Sequence, residues 1–92
     1  MEGAIRDMNE EMRSKIAAAL ASDDWTDGEK MMLKFQWGKL GGFYTSLIKT
    51  MLLADPENLC RFHGGFASLT IAVKNWKAGD LADRFRAAGV LD

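Results

Sequence analysis

The residues of this 92-residue chain best suited to chemistry are its single cysteine and single histidine, Cys60 and His63. They stand one helical turn apart, a spacing at which side chains approach each other, as a nucleophile and its base or two metal ligands would. Nucleophilic catalysis also needs an orienting third group and an oxyanion hole, and a structural zinc site needs a second pair of Cys or His ligands. Nothing in the sequence supplies these. Cys60 is accordingly read as a small buried apolar residue, and His63 as a helix-end residue beside the last carbonyls. The expectation is a protein that is not an enzyme, with no catalytic residue, metal or cofactor.

Two further patterns fail in the same way. Asp23-Asp24-Trp25-Thr26-Asp27-Gly28 places Asp23, Asp27 and Gly28 at the first, fifth and sixth positions of a calcium loop, but Trp25 holds the third and Lys34 the twelfth, where a bidentate Glu is required. Gly38-Lys39-Leu40-Gly41-Gly42 has neither the glycine spacing of a phosphate loop nor a strand before it.

A nucleic-acid interface would draw on Arg61, His63, Lys74, Lys77, Arg84 and Arg86 around Trp76. Trp76, however, shares a helical stripe with Leu69 and Val73, which favours the core over base stacking. The turn at His63-Gly64-Gly65 could join a helix-turn-helix, yet the helix after it begins with few side chains that read bases.

The elements that must position these residues are helical throughout. Ile5, Met8, Met12, Ile16, Ala19 and Leu20 recur at three- and four-residue steps and predict an amphipathic helix from about Gly3 to Ala21. Thr26-Asp27-Gly28-Glu29 has the form of a capping box and starts a second helix near Asp27. Its pattern runs on to Ala54, with Leu33, Trp37, Leu40, Tyr44, Leu47, Ile48 and Met51 on one face. Met31, Phe35, Gly38, Gly42 and Leu53 lie on the other, so this central helix offers apolar or small residues in two directions and should be buried between neighbours.

Glycine in a helix interior costs about 1 kcal/mol relative to alanine, so Gly38, Gly41 and Gly42 need a reason. Either the helix bends or breaks at Gly41-Gly42, or Gly38 and Gly42 let another backbone pack close, within the fold or across a homodimer.

Asp55-Pro56 reads as an N-cap followed by proline at the first helical position, opening a short helix to about His63. Gly64-Gly65 then provides a left-handed helix end. Phe66, Leu69, Val73 and Trp76 mark a helix ending near Ala78-Gly79, and Asp80 caps a last one bearing Leu81, Phe85 and Ala88, closed by Gly89. The prediction is all-α: one domain over residues 1–92, a compact bundle of four to five helices with a long central helix whose glycines kink it or pack it closely.

Composition excludes several classes. Hydrophobic residues make up 48% of the chain and charged ones 27%, a globular balance far from that of disordered chains. The net charge of −1 sets up no global attraction to polyanions. It divides into about −3 up to Lys34 and +2 from Phe35 onward. A lone cysteine fits a reducing cytoplasm, and Glu2, Arg6, Asp7, Glu10 and Glu11, where a signal peptide needs an apolar run, with no apolar stretch of bilayer length, lead to the expectation of neither signal peptide nor membrane span.

What remains for function is apolar surface. Ile71 points away from the Phe66, Leu69, Val73, Trp76 stripe, and with Met31, Phe35 and Leu53 it forms a candidate contact surface. Trp25, near a turn, is a further candidate anchor unless it staples the second helix to the first.

The stretch from Trp37 to Leu47, WGKLGGFYTSL, followed by Ala54-Asp55, Asn58-Leu59 and Gly65-Phe66, resembles small uncharacterised proteins of phages and integrated mobile elements. The resemblance spans about half of the chain and carries no catalytic residues. It implies a small accessory protein, and one job of such proteins is to bind and block a host defence complex, as anti-CRISPR proteins do. The leading expectation is thus a binding protein, monomer or homodimer, acting in the host cytoplasm on a host protein or ribonucleoprotein complex through Trp25, Met31, Phe35, Ile71 and neighbouring charges. The alternatives are a nucleic-acid-binding regulator using Arg61, Lys74, Lys77, Arg84 and Arg86, and a self-assembling phage component using the Gly38/Gly42 face.

Overall fold

A computed structural model of the chain describes residues 9–91. Asn9 caps the first helix, its carboxamide oxygen accepting from Met12 N at 2.7 Å. That helix, α1 (Glu10–Ala21), buries Ile16 and Ala19 and rests Met12 and Leu20 on the core. It begins later than its apolar stripe suggests, and Ile5 and Met8 lie outside the described residues.

The capping box forms as expected. Thr26 Oγ1 accepts from Glu29 N at 3.1 Å while Glu29 Oε1 accepts from Thr26 N at 2.9 Å, and α2 (Asp27–Gln36) starts on this reciprocal pair. α2 does not continue to Ala54. Gly38 adopts φ +70°, Lys39 N reaches back to Lys34 O at 2.9 Å, and Gly38 N to Phe35 O at 3.2 Å. This is the hydrogen-bond pattern of a left-handed glycine helix stop. The chain restarts as α3 (Gly42–Leu53) behind an extended Gly41. The expected central helix is therefore two helices, and the described residues hold six α-helices where four to five were anticipated.

Within the fold, no close packing is found at Gly42. Gly38 ends a helix, and a Cβ placed on Gly42 would have no neighbour within 4 Å. The close approach occurs at Gly28, where an added Cβ would collide with the Ser68 carbonyl group and meet Leu69 N at 2.6 Å.

Asp55 caps α4 (Pro56–Arg61) through Asn58 N at 2.8 Å, with Pro56 in the first turn. A 3₁₀ turn (Phe62–Gly64) carries the chain on. The left-handed exit expected at Gly64-Gly65 is absent: Gly65 has φ −107°, and the direction changes at Phe66, φ −140° and ψ 55°. Then follow α5 (Ala67–Lys77) and α6 (Asp80–Ala87). Left-handed glycines do end these two, Gly79 at φ 92° and Gly89 at φ 78°. Gly79 occupies the N-cap position of α6, so Asp80 is the first helical residue and makes no capping bond.

α5 is the hub. It packs against α2, α3, α4 and α6, burying Leu69, Thr70, Ala72 and Val73. Around it the core gathers Met32, Leu33, Ile48, Met51, Leu59, Leu81, Phe85 and Val90, and each large side chain so buried contributes about 1.5–3 kcal/mol. Trp37 Nε1 donates to the Val90 carbonyl at 2.8 Å, fastening the segment after α6 beneath the end of α2.

Candidate partner-binding surface

Large apolar side chains left to solvent concentrate on α3 and α5. Phe43 is 67% exposed, Leu53 88% and Ile71 49%. On α3, Phe43, Ser46, Thr50 and Leu53 follow one another at helical steps along an exposed face. The Phe43 ring meets Tyr44 edge-on, centroids 5.1 Å apart. On α5, Ile71, Lys74 and Lys77 are exposed at steps of three, Lys77 at the helix end.

The short helix α4 forms a ridge with an open groove on each side. Toward α3 the groove is lined by Thr50, Ala54, Asn58, Arg61 and Phe62 and holds about 400 Å³. Toward α5 the lining is Pro56, Leu59, Cys60, Lys74 and Lys77, and the volume about 230 Å³. A third groove of about 200 Å³ lies between α2 and the start of α5 and includes Met31, Tyr44 and Phe66.

The structure sorts the expected site residues by how far they are already engaged. Trp25 is half-buried, its ring 5.2 Å from that of Phe85 with the Arg84 guanidinium 5.0 Å above it. It staples the α1–α2 loop to α6. Arg84 also donates to Glu29 Oε2 at 2.6 Å, and the Glu29 side chain is only 8% exposed. One carboxylate thus closes the capping box with one oxygen and holds Arg84 with the other. Trp76 lies behind them, 6.3 Å from Phe85. Met31 and Phe35 are half-buried against the core.

Among the remaining cations, Arg61 pairs with Glu57 at 3.5 Å and Arg86 with Asp83 at 3.5 Å. Lys77 Nζ donates to the Ala54 carbonyl at 2.6 Å, joining the end of α5 to the end of α3. Lys74 makes no hydrogen bond or ion pair among the described residues. Of the residues singled out in sequence, Ile71, Lys74 and Lys77 come together, and Arg61 borders the groove across α4. Arg84 and Trp25 belong to a separate, internally satisfied knot.

Cys60 corrects its expectation, being exposed on the α4 ridge. Phe43 is not distinguished in sequence from Tyr44, its neighbour on the core stripe. A step of about 100° from that stripe is enough to turn Phe43 outward. No three His, Cys, Asp or Glu side chains converge as metal ligands among the described residues, and no helix there is long and apolar enough to cross a membrane.

No protein-family model, curated protein or solved structure matches the chain.

Proposed function

We propose that this chain is a non-enzymatic binding protein, a phage or mobile-element accessory protein that binds and inhibits a host protein or ribonucleoprotein complex in the manner of anti-CRISPR proteins. The observation that carries the binding part is the exposure of Phe43, Leu53 and Ile71, where the other large apolar side chains among the described residues are buried or packed against the core. Large apolar side chains left to solvent on a small domain support a protein interface. A nucleic-acid regulator draws less support, since Arg61, Arg84 and Arg86 are all held by carboxylates and Trp76 rests on the core. The accessory-protein setting rests on the sequence resemblance.

The test is co-expression with a host defence complex, scored by plating of a phage which that complex restricts. The chain should restore plating and co-purify with the complex at a saturable ratio, and a folded Leu53→Glu/Ile71→Glu double variant should do neither. Unrestored plating together with no saturable partner would refute the reading.

A further inference from the structure

The groove between α4 and α5 combines an apolar lining with two lysines that pair with no carboxylate among the described residues. Pro56, Leu59 and Cys60 form one wall, Lys74 and Lys77 the other, and Ile71 extends the α5 wall by one turn. From Lys30 to Gly79 the chain carries seven lysines and arginines against two carboxylates, Asp55 and Glu57. Both are already occupied, Asp55 with Asn58 N and Glu57 with Arg61. α5 itself contains no carboxylate. Among the described residues Lys74 and Lys77, both exposed, form no ion pair with a carboxylate. Lys77 is in addition held in place by the Ala54 carbonyl, which reduces the entropy lost when it binds an anion.

Resting on the function proposed above, we infer that this groove takes an acidic amphipathic helix of the protein partner, with an apolar anchor entering between Leu59 and Ile71 and carboxylates meeting Lys74 and Lys77. Helix-in-groove recognition reads anchors at steps of three and four, and Ile71, Lys74 and Lys77 present apolar and cationic contacts at that spacing. Two lysines one turn apart are few for a nucleic-acid backbone, whose binding grows with each phosphate neutralised. Single strands stack their bases on aromatic faces, and this lining has none, whereas the apolar residues of an acidic helix fit its aliphatic floor.

The inference is tested by titrating the isotopically labelled full chain with four defined probes, followed by NMR. One is a synthetic helical peptide with leucines at i, i+3, i+4 and i+7 and glutamates between them. The others are its scrambled isomer, its lysine-for-glutamate counterpart and a single-stranded oligonucleotide. The acidic striped peptide should shift resonances of residues 56–60 and 71–77, and Lys74→Glu should weaken its binding about tenfold while the fold stays unchanged. Three results would overturn the inference: no shifts up to millimolar peptide, equal binding of the scrambled isomer, or the oligonucleotide alone occupying the groove. Restored phage plating that survives Lys74→Glu would remove this groove and leave the proposed function standing; failed plating by the unaltered chain together with no saturable partner would remove the function, whatever the peptide does.

Discussion

Gly28 and Ser68 stand backbone against backbone. Ser68 Oγ accepts from Gly28 N at 2.8 Å, and the space a Cβ would need at Gly28 is filled by the Ser68 carbonyl and the Leu69 nitrogen. This contact lets the start of α2 lie directly on the start of α5. Gly28→Ala gains some helix propensity, roughly 1 kcal/mol. It must also force two backbones apart, and overpacking of that kind costs about 1–3 kcal/mol or more. A net loss of about 2 kcal/mol is expected, seen as a midpoint lowered by roughly 10 °C in thermal melts. An unchanged or raised midpoint would show that the two helices separate freely.

Gly38 and Gly42 should respond in opposite directions. Gly38→Ala places a Cβ in the left-handed region at φ +70° and should cost about 1–2 kcal/mol. Gly42→Ala adds a Cβ in open space within α3 and should stabilise by about 0.5–1 kcal/mol. Urea denaturation of the two variants checks the pair, and a destabilised Gly42→Ala would restore the idea of close packing there.

The Arg84–Glu29 and Arg61–Glu57 pairs have different surroundings. Glu29 is nearly enclosed, so Arg84→Met leaves a carboxylate with only the Thr26 N–H. Because half of the Arg84 side chain already meets water, the expected cost is about 1–2 kcal/mol, below that of a fully buried pair. Arg61→Ala, with both partners largely exposed, should cost less than about 0.5 kcal/mol. A double-mutant cycle with Glu29→Gln isolates the coupling, and a value near zero would contradict this account.

Thr70 is buried, and its Oγ1 finds no hydrogen-bond partner among the described residues. A buried hydroxyl without a partner carries its desolvation cost uncompensated, and a methyl group in its place removes that cost at nearly the same shape. Thr70→Val is expected to stabilise by about 1 kcal/mol in equilibrium unfolding. Destabilisation would mean that the hydroxyl is bonded in solution.

Local signals in the sequence translated well into structure. Thr26-Glu29, Asp55-Pro56 and the terminating Gly79 and Gly89 each act within a few residues, and each does what its chemistry requires. A break among the glycines was one of two readings the sequence allowed, and its place at Gly38 was obscured because the apolar stripe runs through it: Leu33, Trp37, Tyr44 and Ile48 all face the core although they belong to two helices or the turn between them. Ile71 was legible as an outward residue because its own stripe excluded it. Gly28 against Ser68, Glu29 with Arg84 and Trp37 with Val90 were not, since each partner lies 40 or more positions away. The cations around the groove look alike in sequence. Only three-dimensional neighbours separate Arg84, tied to Glu29, from Lys74.

The bond from Trp37 to the Val90 carbonyl bears on how fast the domain assembles. It joins positions 53 apart, and the α2–α5 contact at Gly28 joins positions 40 apart. Neither α2 nor α5 can complete its burial through its immediate neighbours in the chain, so large loops must close before the core rewards them. Helical proteins dominated by local contacts fold in microseconds to milliseconds, and greater sequence separation lengthens that time. A search through such closures makes this domain a slower folder than an up-and-down bundle of its size, and makes Trp37 fluorescence a reporter of the last segment docking.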